Sequence, residues 1–144
     1  MINDSGSEID NEFLDIFLDE SSEILLNLKE CLDNFKDPGD VHYFEKYGQQ
    51  VDRLMGTAYT LSLNFVGDLA KMGKEISYKS SQLTDTTKLL VIQSLLSQLV
   101  RSLELIIKNF KNGIQPDCYE FQPLLDRLIV ANENLGNLRA TLEG

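Results

Sequence analysis

Apolar residues recur at steps of three and four in five successive stretches of this chain, and no stretch shows the two-residue alternation of a half-buried strand. That period puts one apolar stripe on each of five helices, and stripes must be buried against one another, so the fold class is all-α. The first stripe holds Phe13, Leu14, Phe17, Ile24, Leu25, Leu28, Cys31, Leu32 and Phe35. It predicts a helix from about Asp10 that stops before Asp37-Pro38-Gly39, with acids crowded into its first turns, where the helix dipole favours them. The second, from about Val41 to Leu61, turns Phe44, Tyr47, Val51, Leu54, Met55, Ala58 and Leu61 inward. After a break at Ser62-Leu63-Asn64, a third helix from about Phe65 to Ser80 buries Leu69, Met72 and Ile76. Its Gly67 and Gly73 each cost a free helix about 1 kcal/mol relative to alanine, so close packing is their expected reason.

Thr84 or Asp85 is placed to cap the fourth helix, which carries Leu89, Ile92, Leu96, Leu99, Leu103, Ile106, Ile107 and Phe110 and ends at Asn112-Gly113. The fifth follows Pro116-Asp117 and shows Leu124, Leu125, Leu128, Ile129, Leu135 and Leu138. Short connections make neighbours antiparallel, so the predicted architecture is an up-and-down four-helix bundle with a fifth, C-terminal helix beside it. Residues 10–144 form one domain and residues 1–9 a loose tail. A chain of 144 residues supports a single core, burying roughly 70% of the surface it exposes when unfolded.

Charge narrows the partners. Acids outnumber bases 23 to 13, and residues 1–72 hold 15 acids and 5 bases whereas residues 73–144 hold 8 of each. An excess confined to the first half disfavours nucleic acid and anionic membrane, which need clustered Lys and Arg. It favours a partner that brings a basic patch to that half. Cys31 and Cys118 are far apart, with no histidine near either, so no metal site is expected and both read as reduced core thiols. The first residues have neither the positive start nor the apolar run of a signal peptide, and the greasy run Leu89–Val100 is broken by Gln93, Ser94, Ser97 and Gln98. That run is short of the ~20 apolar residues that cross a bilayer, so a cytoplasmic protein without membrane contact is expected.

Glu12-Phe13-Leu14-Asp15-Ile16-Phe17-Leu18-Asp19-Glu20 and the second-helix string Asp52-Arg53-Leu54-Met55-Gly56-Thr57-Ala58, closing on Leu61, carry a resemblance. Together with the five-helix order, they resemble the histidine phosphotransfer domain at the N-terminus of chemotaxis histidine kinases, over nearly the whole chain. Arg53, Leu54, Gly56, Ala58 and Leu61 follow that family's second-helix pattern. Three positions depart from it: Asp52 stands where the family's phospho-accepting histidine belongs, Met55 replaces a lysine, and Ser62 replaces a glycine at the helix end. On the third helix, Lys74 falls where the family has the glutamate that holds the histidine ring. An imidazole–carboxylate pair thus becomes a carboxylate–ammonium pair, which predicts an ion pair between Asp52 and Lys74 across the second and third helices.

Relay chemistry needs a neutral, nucleophilic imidazole near pH 7, and a lone carboxylate does not replace it. What the resemblance implies is therefore a non-enzymatic, cofactor-free signalling module that binds a response-regulator receiver domain or a histidine-kinase component without carrying phosphate. The expected contact residues are Gly48, Gln49, Asp52, Arg53, Met55 and Gly56, with Lys74 behind Asp52. Gly48, Asp52 and Gly56, four apart, make a smooth strip for a docking helix, unless the glycines merely pack on a neighbouring helix. Two other readings stay open. Gln49 and Asp52, on one face, could place a water against a receiver's acyl phosphate; alternatively, the surplus of apolar residues from Leu89 to Val100 could serve homodimerisation through helix four. His42, the only histidine, is expected at the surface near a helix start, and Tyr47, Tyr59 and Tyr78 as core-edge rings with wet hydroxyls.

Overall fold

The five periodic stretches fold as five helices: α1 (Ser5–Asn34), α2 (His42–Thr60), α3 (Asn64–Ser80), α4 (Thr86–Lys111) and α5 (Cys118–Glu143). A computed structural model describes the backbone of residues 5–34, 42–83, 86–115 and 117–143, and the side chains of residues 12–34, 42–83, 87–115 and 117–135; no strand occurs among them. The turn at Asp37-Pro38-Gly39, Phe35, the capping pair Thr84 and Asp85, and the Leu138 side chain lie outside that description. Helix α1 begins at Ser5, so residues 5–9, expected as tail, have helical backbone. Periodicity misses those turns because Ser5-Gly6-Ser7-Glu8 contains no apolar residue to mark a face.

Side-chain ties fix how the helices run. Glu20 with Arg53 (3.6 Å) and Asn27 with Gln50 (3.0 Å) set α2 antiparallel to α1. Tyr59 with Asp68 (2.6 Å) and Asp52 with Lys74 (2.9 Å) set α3 antiparallel to α2. The Lys29–Glu104 ion pair and the Lys111 Nζ donor to Ser22 Oγ (3.3 Å) set α4 antiparallel to α1. Helix α3 also rests on α4, and α5 lies chiefly on α3. There Lys79 donates to Asn132 Oδ1 (2.8 Å), and Asn132 Nδ2 donates to Glu75 Oε1 (3.0 Å).

The core is built from the stripes. Phe17, Ile24, Leu28, Val51, Leu54, Leu69 and Ile76 are fully buried, and every one of the eight residues expected inward on α4 is buried. Tyr47 corrects an expectation: its ring is buried and its hydroxyl donates to the Leu96 carbonyl (2.9 Å), so it is a dry tie between α2 and α4, and burial pushes the phenol's pKa up. Phe13 is 47% exposed, and Ile129 is half out, while Phe121, absent from the expected stripe, is buried. Cys31 is buried but Cys118, the first residue of α5, is exposed, because the α5 stripe starts one turn later at Phe121. In the Leu89–Val100 run, Leu89, Ile92, Leu96, Leu99 and Val100 belong to the core, which leaves Leu90 and Val91 exposed. Over Thr87–Lys111 this helix has the length and composition to cross a membrane, more than the shorter run suggests; its apolar excess lies largely on the face that forms the core.

Glycines mark close approaches. A β-carbon on Gly73 would stand 2.6 Å from Leu99 Cδ2, and one on Gly67 would run into the Tyr59 ring, so both absences let α3 settle against its neighbours. Two helices end in the same way. After α4, Gly113 (φ 75°) donates to Phe110 O and Ile114 donates to Asn109 O; after α2, Ser62 (φ 62°) donates to Tyr59 O and Leu63 donates to Ala58 O. Both are Schellman ends, which close orphan carbonyls through one left-handed residue. Serine there has a β-carbon that the left-handed conformation disfavours by about 1–2 kcal/mol, against glycine's larger loss of chain entropy. Ser62→Gly is therefore expected to raise the unfolding free energy by about 0.5–1 kcal/mol in urea denaturation; a loss of stability would contradict this assignment of the helix end.

Candidate functional site

Helix α2 presents three sides, and its 100° turn per residue decides which residues each one receives. Val51, Leu54 and Ala58 face the core. One residue beyond Val51, Asp52 swings toward α3, where its Oδ1 meets Lys74 Nζ at 2.9 Å, the expected ion pair. One residue further, Arg53 swings the other way and reaches α1, touching Glu20 Oε1 (3.6 Å) and donating to Gln50 Oε1 (3.2 Å), which also accepts from Asn27. Arg53 is thus not part of the Asp52 cluster but of a polar seam with α1.

Gly56 lies on the solvent side, with open space around the position of a β-carbon, and Gln49 is exposed one turn before Asp52. Gly48 corrects the expected strip. It is buried, and a β-carbon there would stand 2.9 Å from the Tyr78 ring, so this glycine makes room for α3 rather than for an outside partner. Met55 is half-buried and packs on the core, offering only part of its side chain to a partner. Tyr78, Glu20, Asn27 and Gln50 flank the site and were not among its expected residues; only the register between helices, not the spacing within one, brings them there.

The Asp52 side chain is 47% exposed and that of Lys74 32%. The hydrogen bond to Asp52 raises the Lys74 pKa above its ordinary value, with partial desolvation pulling the other way. A raised lysine adds stability that is complete below its ordinary pKa and is lost as pH rises through the folded value. The pair is solvent-screened, so its worth is at most about 1 kcal/mol. Lys74→Gln is expected to be less stable than the unaltered chain by that amount from neutral pH up to about 9, below the ordinary lysine pKa of about 10.4, with the gap closing at still higher pH as the Lys74 amine deprotonates in the folded chain as well; a gap that widens there would contradict the pairing. Nearby, the Tyr59 hydroxyl donates to Asp68, and burial with that contact pushes its pKa up to about 12.

Chemically, this face holds a carboxylate tied to an ammonium on an open helix surface. Neither an imidazole nor a thiol stands among Gln49, Asp52, Arg53, Met55, Gly56 and Lys74. His42, at the first turn of α2 and 3.7 Å from Glu45, is exposed and about 15 Å along the axis from Asp52 at 1.5 Å per residue. The Cys31 thiol is buried, and burial raises its pKa further from reactivity. Beside Gln49 an open groove of about 430 Å³ runs between α1 and α2, lined by Asn27, Glu30, Lys46 and Gln50 among others. No family model, curated protein or solved structure matches this chain.

Proposed function

We propose that the chain is a degenerate histidine phosphotransfer domain of a two-component or chemotaxis-type signalling system, acting in the cytoplasm. It binds a receiver domain or a histidine-kinase component through α2 and passes no phosphoryl group. The observation that carries the reading is the ion pair of Asp52 with Lys74 on the exposed side of α2: the two positions where relatives of this pattern pair an imidazole with a carboxylate are brought together here with different chemistry. The antiparallel run of α1 against α2, α2 against α3 and α4 against α1, with α5 outside, fits an up-and-down bundle of the phosphotransfer type. Gln49, Asp52 and Gly56 form the docking surface, with Arg53 and part of Met55 at its edge and Lys74 holding Asp52 in place; Gly48 drops out because Tyr78 covers it.

Such a module competes with an authentic relay partner or holds a receiver in place. Gly56→Trp tests it. The position has nothing within 4 Å of an added β-carbon, so the side chain leaves α2 into open space, where the ring blocks a helix laid against α2; circular dichroism checks that the variant folds. Among receiver domains of the same organism, the one that binds the unaltered chain is expected to lose at least about tenfold in affinity, or about 1.4 kcal/mol. Equal binding by both proteins sinks the proposed surface. The enzyme reading, in which Gln49 helps hydrolyse a receiver's acyl phosphate, rests on the exposure of Gln49 on the Asp52 face. It requires that the unaltered chain shorten the acyl-phosphate lifetime and that Gln49→Ala not do so.

A further inference from the structure

The helix α1 face turned away from the core is acidic along its whole described length. Glu12, Asp15, Asp19, Glu23, Glu30 and Asp33 are all exposed, spaced by three, four and seven, with Leu26 in their midst at 66% exposure. The adjacent α4 has the opposite character. Arg101 and Lys108 are exposed on its outer side about Leu105, itself 42% exposed, and its sole acid, Glu104, is held by Lys29. From these two stripes we infer that two copies of the chain associate through the α1/α4 face, the acidic α1 of each copy lying on the basic α4 of the other.

The register supports this pairing. Lys29 is level with Glu104 and Ser22 with Lys111, so at equal rise along antiparallel helices Leu26 stands level with about residue 107, Asp33 with about residue 100 and Glu23 with about residue 110. A two-fold axis parallel to the helices and above their seam keeps heights unchanged and exchanges the two helices. Leu26 then meets Leu105 of the second copy, Asp33 meets Arg101, and Glu23 meets Lys108, each contact occurring twice. All four helices in the joint are antiparallel to their neighbours, as in packed bundles. The seam itself is an open groove of about 320 Å³ with Leu25, Leu26 and Ile107 at its base and Lys29, Lys108 and Lys111 around it. Facing grooves are filled by the paired leucines. The competing arrangement, α1 on α1, sets acid against acid and is disfavoured.

This association uses none of the residues assigned to receiver docking, so either reading stands if the other fails. Sedimentation equilibrium of the full chain over a concentration series tests it at low and high salt. A dimer is expected whose dissociation constant rises with salt, because its flanking pairs are screened. Arg101→Glu is expected to raise that constant at least about tenfold, Asp33→Arg likewise, and the two together to recover most of the loss; both positions are exposed, and circular dichroism of each variant checks that it folds. A chain that stays monomeric up to millimolar concentration overturns the inference. So does a dimer that ignores both charge reversals and Leu26→Asp but is lost on Val91→Asp, which would place the joint on the other end of α4.

Discussion

Asp52→His, Met55→Lys and Lys74→Glu, introduced together, are expected to turn the chain into an acceptor of phosphoryl groups from a phosphorylated receiver or a kinase. The reasoning begins with reach. Asp52 and Lys74 already meet at 2.9 Å across α2 and α3, so a glutamate at 74 is placed to accept the N–H of an imidazole at 52 and hold its other nitrogen outward and unprotonated. That nitrogen forms the P–N bond as the acyl phosphate's P–O bond breaks. Met55, half-buried one turn on, offers a site from which a lysine stem can lie along the core and send its ammonium to the incoming phosphate. Base-stable, acid-labile label is expected on the triple variant and none on the unaltered chain. No label on a folded triple variant would leave the helical architecture intact and remove the reason for placing docking on α2.

Leu54→Ala is expected to lower the unfolding free energy by about 3 kcal/mol. Leu54 has no solvent exposure and lies on the side of α2 opposite to the open one, among the fully buried residues that join α2 to the rest of the core. Removing three carbons there loses their transfer free energy and leaves a cavity that rigid helices fill only in part. In a domain of this size the melting temperature should fall by about 10 °C. Its neighbour Arg53 is exposed, with its ties to Glu20 and Gln50 at the surface, so Arg53→Ala is the control and should change stability by less than about 1 kcal/mol. If the two substitutions cost the same, the orientation of α2, and with it the placement of Asp52 on an open face, is wrong.

Those two neighbours illustrate what the sequence carries and what it withholds. The inward side of each helix follows from residue spacing, and on α4 all eight expected residues are buried. The Asp52–Lys74 pair was also legible, since aligning two helices to one pattern fixes which of their residues face each other. What spacing cannot supply is the neighbour standing over a given face. Gly48 shares a side with Asp52 by count, yet Tyr78 from α3 lies on it. The resemblance puts Arg53 in one contact with Asp52, but adjacent residues on a helix point 100° apart, and α1 stands on the Arg53 side. A phenol's preference for one wet end puts Tyr47 at the core edge by sequence, whereas in the fold its hydroxyl donates to the buried Leu96 carbonyl. Phe121 escapes the periodicity because two prolines, Pro116 and Pro123, flank it in the sequence and obscure where the α5 stripe begins.

The claim on which the reading rests is that residue 52 serves recognition and not transfer. It is measured most directly by incubating the unaltered chain with a receiver domain carrying radiolabelled acyl phosphate while following amide shifts of the isotope-labelled chain by nuclear magnetic resonance. The account predicts shifts centred on Gln49, Asp52, Arg53 and Gly56, with no label moving to this chain. Label that is stable in base and labile in acid on this chain, or binding that leaves those four residues unmoved, would contradict it.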